Sequence, residues 1–370
     1  MKPLVIVEGI ATIAMLAFTH SSIGQTVEKA KPLLDKAKAQ EIFDQAKTRY
    51  EAYEREHGGW IQTKNVRMHY LQWKNPTGTP LVWAIGTFST AYEMAPFAER
   101  LVKAGYRIVA IDYYGHGPTP IPKHDVSIYH VADDMAALMD SLGIDKAVIG
   151  GWSRGGAIAA SFYDSHPSRT LGLILVDGGS FSFLKVFDRL TDEQLQARFA
   201  SPSTGPSIFE RSYPTEFDLF YDLIKGDAAP DTTDTAYGLG VLARLSQGED
   251  KQWMFCRGLQ KWLMEDSSVN LVNHFRRPST SMLFEWSTAL LDPKIVFRNL
   301  DVPMLILDPV SANDEFLATD DNRELKQMFP NLVTHQIYED TSHAAHLEHP
   351  DWFVRDATSL LQQVNQHNRR

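Results

Sequence analysis

The feature that most constrains this chain is the sequence GWSRGG at residues 151–156. A short apolar run, 146–150, precedes it and a run of mostly small residues, 157–162, follows, so the pattern predicts a strand, a sharp turn and a helix. Gly-x-Ser-x-Gly in that setting is typical of a nucleophile elbow, whose strained turn needs small neighbours. Ser153 would then lie at a helix N-terminus, where free amides favour developing negative charge. A glycine-rich turn with a capping serine is the alternative.

The composition narrows the class of protein. The chain has 370 residues, of which 44% are hydrophobic and 22% charged, as in soluble globular proteins of one to three domains. The net charge of −10 and the absence of a basic run interleaved with aromatics argue against nucleic acid as a partner. The single cysteine, Cys256, excludes an intramolecular disulfide and a cysteine-based metal site. We predict no cofactor and no metal.

The first residues resemble a secretory signal. Lys2 precedes an apolar run at 4–18, and the small residues Ser22 and Gly24 follow it. We predict a signal peptide over 1–24 and a periplasmic or secreted protein. An uncleaved membrane anchor and a wrongly assigned start codon are the alternatives.

Residues 25–59 form a second region with its own pattern. Phe43, Ala46, Tyr50 and Tyr53 recur at steps of three and four residues, which predicts an amphipathic helix with a narrow apolar stripe. The stripe could pack on the main domain or on a second copy of the chain, and a solvated spacer helix is the remaining option.

From residue 60 onward, strands and helices alternate. This alternation predicts an α/β fold with a mostly parallel, doubly wound sheet, built from residues 60–179 and 300–370. Between them, residues 180–299 have helical periods and many large apolar residues. We interpret this insertion as a helical cap.

Four segments, in chain order, resemble those of the α/β-hydrolase superfamily. They are the Gly86-Thr87 turn, DYYGHG at 112–117, the elbow around Ser153, and SHAAHLEHP at 342–350. The resemblance covers residues 60–365 and implies the α/β-hydrolase fold with an inserted cap. It also accounts for the His-x-x-His spacing in the last segment without a metal.

The resemblance implies a role for several residues. Ser153 would be the nucleophile and His343 its general base, while the backbone amides of Thr87 and Arg154 would form the oxyanion hole. Ile85 stands where the family often has a histidine, which leaves open which amide of that loop donates.

The acid of the triad has three candidates. Asp314, in the sequence NDEF, is preferred because it resembles the family's aspartate loop after the resumed strand. Asp308 ends that strand but precedes Pro309, and Asp177 after the earlier strand is a third option, used by some relatives.

These features together predict a serine hydrolase that cleaves a carboxylic ester or lactone of a small-molecule acyl substrate. Alternatives within the superfamily are an aminopeptidase and a carbon–carbon bond hydrolase, and a different class is a slow-turnover receptor that holds its ligand under the cap. Epoxide hydrolases and haloalkane dehalogenases fit less well, because their nucleophile is an aspartate where this chain has Ser153. The sequence does not specify an oligomeric state.

Overall fold

A computed structural model of the chain describes residues 33–199, 208–226, 235–264, 282–311 and 316–369. The predicted signal peptide and Asp314 lie outside these ranges, so both stay predictions. Within the described ranges, no helix has the length and hydropathy needed to cross a membrane.

The strands, in chain order, are β1 Gly58–Gln62, β2 Arg67–Trp73, β3 Thr79–Ala84, β4 Tyr106–Asp112, β5 Ala147–Trp152, β6 Thr170–Val176, β7 Leu245–Gln247, β8 Trp253–Phe255, β9 Met304–Val310 and β10 Val333–Glu339. The core is an eight-stranded sheet with the order β1-β2-β4-β3-β5-β6-β9-β10. The pairs β1–β2 and β2–β4 are antiparallel and the other neighbours are parallel, which confirms the predicted fold class. A separate hairpin joins β7 and β8.

Helices cover both faces of the sheet and make up most of the described insertion. Those before the insertion are α1 Lys36–His57, α2 Ala95–Ala104, α3 Ile128–Ser141 and α4 Arg154–Ser165. Those between β6 and β9 are α5 Phe183–Asp188, α6 Asp192–Phe199, α7 Glu216–Ile224, α8 Thr235–Leu242, α9 Leu259–Met264, α10 Leu283–Ala289 and α11 Pro293–Val296. The last three are α12 Thr319–Met328, α13 Ala345–Glu348 and α14 Pro350–His367.

The central strands are mostly apolar because helices cover both of their faces. Leu81, Val82 and Trp83 of β3 have no exposed surface, and neither do residues 147–149 of β5 or 173–176 of β6. Each such side chain contributes about 1.5–3 kcal/mol of hydrophobic stabilisation, so the sheet is a rigid platform for the loops at its carboxyl edge.

The apolar stripe of α1 packs within the chain. Phe43 lies edge-on to Phe217 and Phe220 of α7, with ring centroids 5.6 Å and 5.3 Å apart. Further along, Tyr50 stacks on Tyr92 of the core at 5.4 Å. Helix α1 therefore contacts both the core and the insertion, and it is not a solvated spacer.

A buried charge cluster fixes the second half of α1. His69 of β2 lies between Asp112, 2.6 Å from its Nδ1, and Glu54 of α1, 3.0 Å from its Nε2. Asp112 also accepts from the Ala91 amide and Glu54 from the Tyr92 hydroxyl, both at 2.7 Å. Burial is the largest single effect and would lower the pKa of His69, but the hydrogen bonds to the two carboxylates and their charges together outweigh it and raise the pKa to about 9.

This cluster predicts an alkaline loss of stability. Because the pKa of His69 rises from 6.5 to about 9 on folding, its contribution is complete below pH 6.5 and is lost as the pH rises through 9. A shift of this size corresponds to about 3 kcal/mol. Urea unfolding of the wild type should show this decline, and His69→Gln should flatten it between these pH values.

The matched control for this prediction is His367→Gln, since His367 is an exposed histidine at the end of α14. It should keep the wild-type slope of stability against pH. Equal slopes for the wild type and His69→Gln would show that His69 does not carry the effect.

Candidate active site

Ser153 lies on a sharp turn between β5 and α4, with φ 55° and ψ −122°. The close approach of the neighbouring backbones explains the flanking glycines. A Cβ atom on Gly151 would lie 2.2 Å from the backbone of Gly155, and one on Gly155 would lie 2.0 Å from the carbonyl oxygen of Ala84. Any larger residue would force these backbones apart, so this turn requires glycine at both positions.

His343 lies in the loop after β10 and is held beside the elbow by Trp152, the residue before Ser153. The Trp152 indole donates to the His343 carbonyl oxygen at 2.8 Å, and the two rings are 5.1 Å apart. Ser153 Oγ makes no hydrogen bond within the described ranges. Hydrogen bonds of catalytic groups often shorten only when substrate binds.

Asp177 contacts the imidazole of His343. It follows β6 directly, has a left-handed backbone with φ 43°, and is 2% exposed. Its Oδ2 lies 2.6 Å from His343 Nδ1. This bond makes Nδ1 the donor and leaves Nε2 with the lone pair that a general base needs.

Of the other two candidate acids, Asp308 contacts a different histidine and Asp314 lies outside the described residues. Asp308, in β9, is buried and its Oδ2 lies 2.7 Å from Nε2 of His335 on the neighbouring strand. Its carboxylate is thus engaged with a histidine of the sheet. Asp314 lies outside the described residues, so its assignment remains a prediction from the sequence.

The loop after β3 contains the Thr87 amide, the first of the two predicted oxyanion donors. The Gly86 amide donates to the Glu93 carboxylate and the Phe88 amide to His116 Nε2, each at 3.1 Å. The Thr87 amide between them makes no hydrogen bond with a described residue. In the described part of the chain, the Thr87 amide therefore has no hydrogen bond that would compete with an oxyanion.

The second predicted donor is the amide of Arg154, the first residue of α4. It too makes no hydrogen bond among the described residues, as is usual for the first amides of a helix. The two predicted donors are thus the amide of Thr87 and the amide of Arg154, which follows Ser153 at the N-terminus of α4.

His116 supports the loop as a neutral imidazole. Its Nδ1 lies 3.0 Å from the Tyr114 carbonyl oxygen, so Nδ1 donates and Nε2 accepts from the Phe88 amide. Burial, with a smaller effect from the Arg154 charge, lowers the pKa of His116 to about 3. The acceptor is therefore available at neutral pH.

The side chain of Arg154 was not assigned a role from the sequence. Its Nε donates to Thr87 Oγ1 at 3.0 Å, its Nη1 pairs with Glu285 of α10, and its guanidinium lies 5.5 Å from the Phe284 ring centroid. Burial is the largest single effect and would lower its pKa, but the Glu285 charge, the neighbouring Tyr113 and the hydrogen bond to Glu285 together outweigh it, and the pKa of Arg154 is raised. The sequence signal that could have pointed to this role is the position of a charged residue between Ser153 and the pair Gly155-Gly156.

Glu93 is a second residue that the sequence did not reveal. Its fully buried carboxylate accepts from the Trp83 indole at 2.8 Å and from the Gly86 amide, and it lies 3.1 Å from His346 Nε2. Glu93 thus connects the loop of Thr87 to the segment that carries His343.

Within the described ranges, no group of three or more His, Cys, Asp or Glu side chains could hold a metal.

An apolar wall stands beside His343. Phe316 lies edge-on to the imidazole at 5.0 Å, and Phe181 and Phe183 contact Phe316 at 5.4 Å and 5.2 Å. These rings limit the access of water to the Asp177–His343 pair, which strengthens the hydrogen bond between them.

Comparisons with known proteins agree with the fold described above. The family model for the alpha/beta hydrolase fold matches residues 80–350. The chain is 31% identical to epoxide hydrolase 1 of Caenorhabditis elegans over 31% of this chain and 30% of that protein. It is 23% identical to an sn-1-specific diacylglycerol lipase of Danio rerio, over 77% of this chain and 78% of the lipase.

A solved structure of similar fold is that of E-2-(acetamidomethylene)succinate hydrolase. Its TM-score is 0.59 at 14% identity, over 82% of this chain and 98% of that one. The matches to several curated relatives span only 30–37% of their length.

Proposed function

Because the chain belongs to the alpha/beta hydrolase family, we propose that it is a serine hydrolase that cleaves a carboxylic ester or lactone. Ser153 is the nucleophile, His343 the general base and Asp177 the acid of the triad. The amides of Thr87 and Arg154 bind the oxyanion. Its partner is a small-molecule acyl substrate.

One observation carries this proposal. His343 Nδ1 donates a hydrogen bond to Asp177, and the loop that carries His343 is hydrogen-bonded to Trp152 of the elbow. A serine hydroxyl is too weakly acidic to attack a carbonyl by itself, so it needs a base with the correct tautomer. The Asp177 carboxylate supplies that tautomer and stabilises the imidazolium formed during the reaction.

The first half of the reaction acylates the enzyme. Ser153 Oγ attacks the carbonyl carbon while His343 Nε2 takes the hydroxyl proton. The negative charge that develops on the carbonyl oxygen is held by the free amides of Thr87 and Arg154. The tetrahedral intermediate then expels the alcohol, which receives the proton from His343, and the acyl group stays on Ser153.

The second half releases the acid. A water molecule gives a proton to His343 and attacks the acyl carbon, and the same two amides hold the second oxyanion. Collapse of this intermediate breaks the bond to Ser153, whose oxygen recovers the proton. For a lactone, the alcohol and the acid leave as one molecule.

The choice of an ester over an epoxide depends on the nucleophile. The zebrafish relative is by name a lipase, whereas the nematode relative is an epoxide hydrolase. Resemblance implies an aspartate nucleophile in epoxide hydrolases, and this chain has Ser153 on the elbow. A serine forms an acyl-enzyme that water can hydrolyse, which suits carboxylic esters.

We also propose that the insertion acts as a cap over the site. Two of its charged side chains contact the loop and elbow: Arg244 donates to the Phe88 carbonyl oxygen at 2.6 Å, and Glu285 pairs with Arg154. The apolar wall around Phe316 would border the substrate on the side of His343.

A substrate panel tests this function. The purified protein is assayed with aryl and alkyl esters, lactones, thioesters, aminoacyl amides and epoxides, with Ser153→Ala beside it. We expect multiple turnover on an ester or a lactone that Ser153→Ala lacks. Turnover of epoxides alone, or turnover of aminoacyl amides that exceeds that of every ester, would contradict the proposal.

A further inference from the structure

The side chain of Arg154 is a largely buried cation next to the proposed nucleophile, Ser153. The guanidinium side chain is 13% exposed and that of its partner Glu285 is 11% exposed. A charge in such a place is costly unless it is paired and hydrogen-bonded. Arg154 meets both conditions, because Glu285 neutralises it and Thr87 Oγ1 accepts from its Nε at 3.0 Å.

The hydrogen bond from Arg154 holds Thr87, whereas Gly86 and Phe88 on either side are held through their backbone groups. The polar backbone groups of Gly86 and Phe88 are bound by Glu93, His116 and Arg244, which fix the loop on either side. The amide of Thr87 makes no hydrogen bond within the described ranges, so no partner fixes its direction. The Thr87 hydroxyl, in contrast, accepts a hydrogen bond from the Arg154 guanidinium.

We propose that the Arg154 side chain is a positioning residue of the oxyanion hole. It fixes Thr87 through the hydroxyl so that the Thr87 amide and the Arg154 amide face the same point. Glu285 of the insertion in turn fixes the guanidinium. This inference rests on the proposed function, since it concerns the oxyanion of acyl transfer.

The arrangement couples the insertion to the chemistry. Glu285 and Phe284 lie on α10, so a displacement of that helix would remove both contacts of the guanidinium with the insertion. Thr87 would then lose the fixed donor on its hydroxyl. The oxyanion hole is therefore complete only when α10 is seated on the elbow, which makes substrate enclosure and catalysis depend on each other.

The test uses a pair of matched substitutions at Thr87. Thr87→Val keeps the shape and the backbone amide but removes the acceptor, whereas Thr87→Ser keeps the hydroxyl. The probe is an alkyl boronic acid, which forms a tetrahedral anionic adduct on the serine and so reports on the oxyanion hole. Its inhibition constant, kcat and KM for one ester are measured for each full-length variant.

We expect Thr87→Val to weaken boronic acid binding and kcat by about ten- to a hundredfold, with little change in KM. Thr87→Ser should recover most of this loss. If the Thr87 hydroxyl only stabilised the fold, the two variants would differ in thermal midpoint. The inference instead predicts that they differ in kcat and have similar KM values and thermal midpoints. Equal inhibition constants for Thr87→Val and Thr87→Ser would overturn the inference.

A double-substitution cycle tests the link to the insertion. Glu285→Gln alone should weaken boronic acid binding, and adding it to Thr87→Val should cost no further affinity, because both act through the same guanidinium. Additive losses would overturn the coupling. A wild type that forms no boronate adduct on Ser153 would instead contradict the proposed function, so the two failures are distinguishable.

Discussion

Ser153→Ala is expected to lower kcat for the ester substrate by about 10⁴–10⁶-fold, with little loss of stability. In the proposed mechanism the hydroxyl oxygen forms the acyl bond, and alanine would leave only the oxyanion amides and substrate binding to assist a direct attack by water. Alanine also fits the elbow, because its Cβ occupies the position of the serine Cβ. Steady-state kinetics and a thermal melt of each variant measure the two quantities.

The control for this prediction is Ser165→Ala, at an exposed position at the end of α4. It should keep the wild-type kcat. A Ser153→Ala variant with substantial turnover in well-folded protein would contradict the assignment of the nucleophile.

The second large effect is expected at the acid. Asp177→Asn should lower kcat by about 10⁴-fold, as the corresponding change does in a serine protease, because an amide cannot hold the productive tautomer of the imidazole. The buried hydrogen bond to His343 keeps its geometry, so the thermal midpoint should change much less than the rate. The measurement is kcat and thermal midpoint on the same preparation.

Asp308→Asn and Asp314→Asn complete that experiment. Asp308 pairs with His335 in the sheet, so its substitution should lower stability and leave the rate nearly intact. Asp314 is the acid that the sequence favours. If Asp314→Asn abolishes turnover while Asp177→Asn stays active, the carboxylate on His343 Nδ1 is not the acid of the triad.

The sequence predicted the parts of the site that depend on local geometry. The elbow follows from glycines whose replacement would bring atoms to 2.0–2.2 Å from neighbouring backbone. The alternating strands and helices predicted the sheet that holds it. Such features depend on neighbours in the chain or on a fixed period, so they can be derived before the structure is known.

The acid could not be chosen from the sequence for a physical reason. A triad carboxylate needs only to reach the imidazole, and aspartates near the carboxyl ends of two different parallel strands lie toward the same edge of the sheet. Asp177 and Asp308 both satisfy this condition, and their long-range partners, His343 and His335, distinguish them.

The contacts of Arg154 were out of reach for the same reason. Its partners Thr87 and Glu285 are 67 and 131 residues away in the chain, and no period or spacing relates them. The apolar stripe of α1 is a similar case. Its periodicity predicted the helix, but the aromatic residues of α7 that it contacts belong to a distant segment.

The most direct test of this account is to trap the covalent intermediate. The wild type is mixed with a slowly deacylating aryl ester, quenched in acid, digested, and mapped by mass spectrometry. We expect one added acyl group, located on Ser153 and lost on incubation at neutral pH, and no adduct in Ser153→Ala. An acyl group on another residue, or turnover of the ester without any adduct on Ser153, would contradict the central claim.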